Sequence, residues 1–191
     1  YSEAVSKAAS LTLGGYTDWR LPTIKELYSL ILFNGVDPSG ISGGNTQDMI
    51  PFIDQNYFVF NYGDESNGER VIDSQYMSST KYVSTTMHGN ETVFGVNFAD
   101  GRIKGYPVSD PRSGGEKQFY VLYVRGNTDY GKNDFVNNGN GTVSDSSTGL
   151  MWMEFDSGYF EAGDNRDGKL NWQQALDWAE NIEYAGYSDW R

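Results

Sequence analysis

Cysteine is absent from all 191 residues, which excludes disulfides, thiolate nucleophiles and cysteine-ligated zinc or iron–sulfur centres. Histidine occurs once, so a Ser-His-Asp arrangement would have to use His88, in the stretch Met87-His88-Gly89-Asn90. That stretch reads instead as a solvated turn between two strands. No segment approaches 18 consecutive apolar residues, and the opening YSEAVSKAAS lacks the basic start and apolar run of a signal peptide. A soluble piece is expected, without membrane insertion and with any export signal upstream of it. Positive charge is scarce: Lys and Arg total 14 against 26 Asp and Glu, a formal charge of −12. Such a chain repels phosphate and sulfate polymers at long range, and nucleic acid is not an expected partner.

Aromatic residues are plentiful at 15%, with 14 Tyr, beside 23 Gly, a balance found in turn-rich extracellular modules. The hydrophobic share of 38% supplies a core without help from metals or disulfides.

Laying the chain on itself exposes a repeat. Tyr1 to Arg20 aligns without a gap on Trp172 to Arg191, an offset of 171 residues. Ala4/Ala175, Ala8/Ala179, Gly15/Gly186, Tyr16/Tyr187, Asp18/Asp189, Trp19/Trp190 and Arg20/Arg191 are identical. Tyr1, Ala4, Val5, Ala8 and Leu11 share one helical face, as do Trp172, Ala175, Leu176, Ala179 and Ile182. Each helix is followed by a Gly-Tyr-Ser/Thr-Asp-Trp-Arg corner. A period near the size of one domain indicates a string of whole domains, cut out of phase. The expected division is residues 1–126 as the later part of one repeat unit, 127–137 as a Gly/Asn/Asp-rich linker and 138–191 as the opening of the next unit.

Within the first part, Thr23 is the expected cap of a second helix from Ile24 to about Phe33, with Glu26 closing a capping box. A long loop runs from Val36 to about Asn56, and its apolar Met49, Ile50, Phe52 and Ile53 favour a packed form. Strands are expected at Gln75–Val83, Thr92–Phe98, Gly101–Val108 and Gln118–Val124, with a turn at Ala99-Asp100-Gly101. Farther on, Gly141-Thr142-Val143 and Thr148–Trp152 read as a hairpin, and Asn171 as the cap of the repeated helix. The fold class is α+β: two helices on a small twisted antiparallel sheet, with long loops.

Several of these landmarks resemble the C-terminal domain family of the Legionella collagen-like adhesin. They are Asn138-Gly139-Asn140-Gly141-Thr142-Val143 with Thr148-Gly149-Leu150-Met151-Trp152, the Trp172-x-x-Ala175 helix, and Gly15 to Leu27 (GYTDWRLPTIKEL). Ser78-Ser79-Thr80, Val96 to Arg102 and the closing Tyr123-Val124-Arg125-Gly126 complete the set. The resemblance implies a C-type-lectin-like fold, related to the formylglycine-generating enzymes. The family's closing strand usually carries a cysteine, and Tyr120 to Arg125 has none, which removes the oxidase chemistry of those enzyme relatives. The Glu-Pro-Asn or Gln-Pro-Asp and Trp-Asn-Asp signatures of calcium-dependent lectins are also missing.

The remaining candidates are weaker motifs. Asp18 and Asp189, each followed by Trp and Arg, read as structural ion pairs and turn caps. Asn90 and Asn140 fit the glycosylation pattern Asn-x-Ser/Thr on exposed turns. No cofactor is expected; if a metal binds, calcium is the candidate, since oxygen ligands gather at Asp129/Asn133/Asp134 and at Asp164, Asn165, Asp167 and Gly168. Carboxylates are numerous but show no glycosidase-like pairing. The expected function is therefore non-enzymatic and extracellular or cell-surface: domains linked head to tail with neighbouring repeat units or like subunits in a stalk or fibril. A glycan-binding adhesin module is the alternative, since neutral sugars stack on Tyr or Trp.

Overall fold

The computed structural model describes residues 1–41, 48–86, 89–110 and 114–191. They form two compact units, Tyr1–Tyr130 and Gly131–Arg191.

In the first unit, helix α1 spans Ser2–Ser10 and turns Ala4 and Ala8 inward. Val5 stays 44% exposed, so the buried stripe is narrower than the apolar spacing suggests. Ala4 packs with Leu21, Met77 and Val93, flanked by Tyr1, Phe119, Val121 and Tyr123. Small side chains at two successive turns let the helix lie close to the strands beneath it.

Helix α2, Ile24–Tyr28, has the expected capping box: Thr23 accepts from the Glu26 N–H and Glu26 from the Thr23 N–H. It is shorter than expected, because after Tyr28 the backbone tightens. Leu30 and Ile31 donate to Leu27 and Tyr28, three residues back, at 3.2 and 2.9 Å. That tightening turns Ile31 into the main core with Leu27, Ile53, Phe60, Tyr76, Val96 and Phe98. Tyr76 forms an edge contact with Phe98 and stacks on Phe60, with ring centroids 5.1 and 6.4 Å apart.

Strands β1 (Gln75–Thr86), β2 (Asn90–Asn97) and β3 (Arg102–Pro107) make an antiparallel sheet in that order. The register places Val96 opposite Ile103 and Asn97 opposite Arg102 around the Ala99–Gly101 turn. β1 outruns its expected end at Val83. Its outer half is solvent-exposed, with Val83 fully exposed. Among the described residues, the Gln118–Val124 segment is extended but pairs at isolated points alone, Tyr120 with Tyr76 and Val124 with Arg20. In the Val36–Asn56 loop, Met49 and Ile53 are buried and Phe52 is half-buried, while Ile50 is exposed. Residues 42–47 of that loop lie outside the described set.

The second unit holds β4 (Phe135–Asn137), β5 (Thr142–Asp145), β6 (Leu150–Met153) and α3 (Trp172–Asn181). Its antiparallel sheet runs β4-β5-β6. β5 and β6 occupy the expected hairpin, and Asn171 caps α3 in a capping box with Gln174. β4 falls inside the span read as linker, residues 127–137. The Gly/Asn/Asp-rich residues around it hide a pairing of Phe135, Val136 and Asn137 with Asp145, Ser144 and Val143.

Candidate functional site

The duplicated helix and corner fold alike. α1 ends at Leu11 with φ −74° and ψ 126°, and α3 at Ile182 with φ −76° and ψ 128°. Leu13 then bridges Tyr16, and Tyr184 bridges Tyr187. Gly15 and Gly186 sit at φ 81° and 83°, and Gly14 at 62° is matched by Ala185 at 53°. This left-handed pair closes the corner and explains why glycine recurs there.

The two corners differ in what surrounds them. In the first unit the Asp18 carboxylate accepts from Arg125 Nε at 2.7 Å, and the Arg125 guanidinium lies 3.6 Å from the Tyr16 ring centroid. Arg20 does not pair with its neighbour Asp18. It reaches Glu26 through two bonds of 2.7 and 2.6 Å. The Arg20 guanidinium and the Thr23 N–H overcome burial and hold the Glu26 carboxyl at about 2. Trp19 donates its indole N–H to the Leu13 carbonyl at 3.3 Å. In the second unit, no hydrogen bond or ion pair engages Asp189 or Arg191 among the described residues, and the Trp190 indole N–H is buried without an acceptor.

Each corner borders an open depression. In the first unit a groove of about 370 Å³ runs beside the Arg20–Glu26 pair, between Pro22, Leu27, Leu30, Phe58 and Leu122. In the second, a cleft of about 560 Å³ separates β6 from α3 and its corner, with Trp152, Trp178, Tyr187, Asp189, Trp190 and Arg191 among its walls.

Two buried carboxylates were not legible as sites. Asp100, fully buried, faces Lys104 and Arg102 through one oxygen, while the other is unpartnered. Nearby, burial and then the Asp100 charge push the Tyr106 hydroxyl far above its ordinary range. Asp145 is 1% exposed and accepts from the Asp134 N–H at 2.8 Å, Asn133 Nδ2 at 2.7 Å, the Ser147 hydroxyl at 2.7 Å and the Thr148 hydroxyl at 3.0 Å. These donors, the Asp134 N–H foremost, hold its carboxyl well below the usual range. The only sequence signal was Asp-Ser-Ser-Thr-Gly, which resembles any turn.

The candidate calcium residues engage local partners. Asn133 gives its amide to Asp145, Asp164 accepts from Gln174 at 2.9 Å, and Asp167 accepts from the Lys169 N–H at 3.0 Å. Among the described residues, no three Asp, Glu or His side chains gather around one point suited to a metal ion. Asn140 is exposed, and its side-chain amide oxygen Oδ1 accepts from the buried Thr142 hydroxyl at 2.7 Å. Asn90 is half-buried at the start of β2. His88 lies outside the described residues.

The molecule thus falls in a class of small α+β modules, in which α1 and α3 are each followed by a glycine-hinged Tyr-x-Asp-Trp-Arg corner. Residues 1–125 and 141–191 match the Lcl C-terminal domain, and the chain belongs to that family, which is associated with a bacterial surface adhesin. No curated protein and no solved structure matches the chain. Among the described residues no helix is long and apolar enough to cross a membrane.

Proposed function

We propose that the chain is part of a non-enzymatic, extracellular tandem array whose C-type-lectin-like domains link head to tail in a surface stalk or fibril. The observation that carries this reading is the helix and corner recurring after 171 residues with the same backbone angles. One short helix arises often by chance, whereas a helix, its cap angles and a left-handed corner in register are the mark of a repeated unit. The partners are neighbouring units or like subunits, and no cofactor is required; calcium at Asp164, Asn165 and Asp167 is tested by melting with calcium against chelator. Electron microscopy of the full-length native protein tests the array. Filaments with a regular repeat of one domain are expected, and freely jointed beads would count against it.

A glycan-binding adhesin is the second reading. It is favoured by the stacked pair Phe155 and Tyr159, with ring centroids 4.1 Å apart and Tyr159 65% exposed, a platform of the kind sugars use. Binding on an array of neutral glycans, lost in Tyr159→Ala, is the expected result. Silence across the array removes this reading.

A further inference from the structure

We infer that Asn34 is a modification site of the folded chain, where the side-chain amide is lost through a cyclic imide formed with Gly35, leaving aspartate or isoaspartate. The reaction runs without an enzyme, and water is its one co-reactant.

The chemistry is set by neighbours in sequence. The Gly35 nitrogen gives up its proton to solvent and attacks Asn34 Cγ, and the side-chain nitrogen leaves as ammonia. Water then opens the five-membered ring. Cleavage between Cγ and the Gly35 nitrogen yields aspartate. Cleavage between that nitrogen and the Asn34 main-chain carbonyl yields isoaspartate, whose backbone runs through Cβ and Cγ. Nothing is oxidised or reduced. Glycine in the following position favours the attack, because no Cβ crowds its nitrogen.

The chain has four Asn-Gly pairs, at 34–35, 67–68, 138–139 and 140–141, and the fold ties down three of them. Asn67 gives its amide to Asp64 Oδ2 at 2.7 Å, and the Gly68 N–H donates to the Glu65 carbonyl at 3.1 Å. Asn138 donates to the Thr142 and Ser144 hydroxyls at 2.8 and 3.0 Å, and the Gly139 N–H to the Asn137 side chain at 2.7 Å. Asn140 Oδ1 accepts from the N–H and the hydroxyl of Thr142, at 3.2 and 2.7 Å. Ring closure at these pairs must first break such bonds, and each one lost slows it.

Asn34 is held by none. It is exposed in the turn after α2, and among the described residues neither its side chain nor the Gly35 N–H makes a hydrogen bond. The chain on either side is anchored: the Leu32 N–H donates to the Phe52 carbonyl at 3.0 Å and the Val36 N–H to the Ile50 carbonyl at 2.8 Å. Between these anchors the Phe52 ring lies against Gly35, so close that a Cβ there would stand 2.5 Å from it. An isoaspartate linkage lengthens the main chain by one methylene between the two anchors and lifts Gly35 off that ring. An aspartate product keeps the main-chain length and adds only charge.

The test holds the full chain in mildly alkaline buffer and follows each Asn-Gly peptide by mass spectrometry, with isoaspartate marked by an isoaspartyl methyltransferase. Conversion at Asn34 is expected to run about tenfold or more faster than at Asn67, Asn138 or Asn140, and the four rates are expected to converge in concentrated urea. Asp64→Ala, which unties Asn67, is expected to speed conversion at Asn67 and leave Asn34 unchanged. Amide exchange at Val36 is expected to quicken in the isoaspartate form and not in the aspartate form. An Asn34 that converts no faster than the other three in the folded chain overturns the inference. So does a preference for Asn34 that persists undiminished in urea, since local sequence rather than the fold would then select the site.

Discussion

Arg20 and Glu26 meet fork to fork, with both guanidinium Nη atoms on the two carboxylate oxygens, while the same carboxylate accepts the Thr23 N–H at 2.8 Å. One side chain thereby closes the corner and caps α2. The Glu26 side chain is only 9% exposed, so the pair escapes most of the screening that weakens surface ion pairs.

That arrangement makes the first unit acid-sensitive in a defined window. Glu26 titrates at about 2 when folded against an ordinary 4.5, so the folded state favours its ionised form. Its contribution is complete above pH 4.5 and declines as the pH falls toward 2. The gap corresponds to on the order of 3 kcal/mol. Denaturant titrations of the native chain and Glu26→Gln at pH 7 and pH 2.5 are expected to differ widely at the first pH and converge at the second. An equal gap at both would show that the carboxylate charge is not what stabilises the corner.

Burial of the repeated helices predicts an asymmetry between identical residues. Ala4→Glu drives a carboxylate among Met77, Val93 and Tyr123 and is expected to cost about 3 kcal/mol or more. Ala175→Glu sits on the exposed face of α3 and is expected to stay within about 0.5 kcal/mol. Thermal melts of the two variants separate them, and equal losses would mean that α3 is covered as α1 is.

Much of this was legible because it is local. Thr23 with Glu26, Asn171 with Gln174, and the Ala99–Gly101 turn follow from residues within a few positions of one another. The duplicated corner was visible as a spaced identity, and its glycine hinge follows from backbone sterics. What escaped depends on distance. Nothing near Asp18 names Arg125 as its partner 107 residues away. Gln118–Val124 has the composition of a strand, but among the described residues it is bridged at isolated points, by Tyr76 and Arg20. β4 was hidden by its polar flanks, because three residues are too short a run to stand out as a strand between Asn133-Asp134 and Asn138-Gly139-Asn140.

That carboxylate, Asp145, supplies a further prediction. It collects donors from Asn133 and Asp134 on one side and from Ser147 and Thr148 on the other, tying the β4 entry to the β5–β6 turn. Asp145→Asn replaces an acceptor oxygen with a donor facing other donors and is expected to destabilise the second unit. Since its carboxyl is held below the ordinary 3.8, the native contribution persists above about that pH and fades below it. Faster amide exchange at Asp134 and Ser147 at pH 7, with α1 unchanged, is the expected signature; unaltered exchange at both would refute the role.

Glycine substitutions rank the turns by what a side chain would meet. Gly101 sits at φ 68° in the β2–β3 turn, and a Cβ there would lie 2.5 Å from the Phe52 ring. Gly101→Ala therefore combines a left-handed backbone penalty with displacement of a ring packed against the main core, and is expected to cost about 2–4 kcal/mol. Gly15, at φ 81°, has open space around the same position, so Gly15→Ala carries only the backbone term, about 1 kcal/mol. The corner itself shows that such a term is tolerable, since Ala185 occupies φ 53° where the first copy has Gly14. Equilibrium unfolding of the two variants tests the ranking. If Gly15→Ala proves the more damaging, the left-handed corner, rather than the Phe52 contact, is the tighter constraint on this fold.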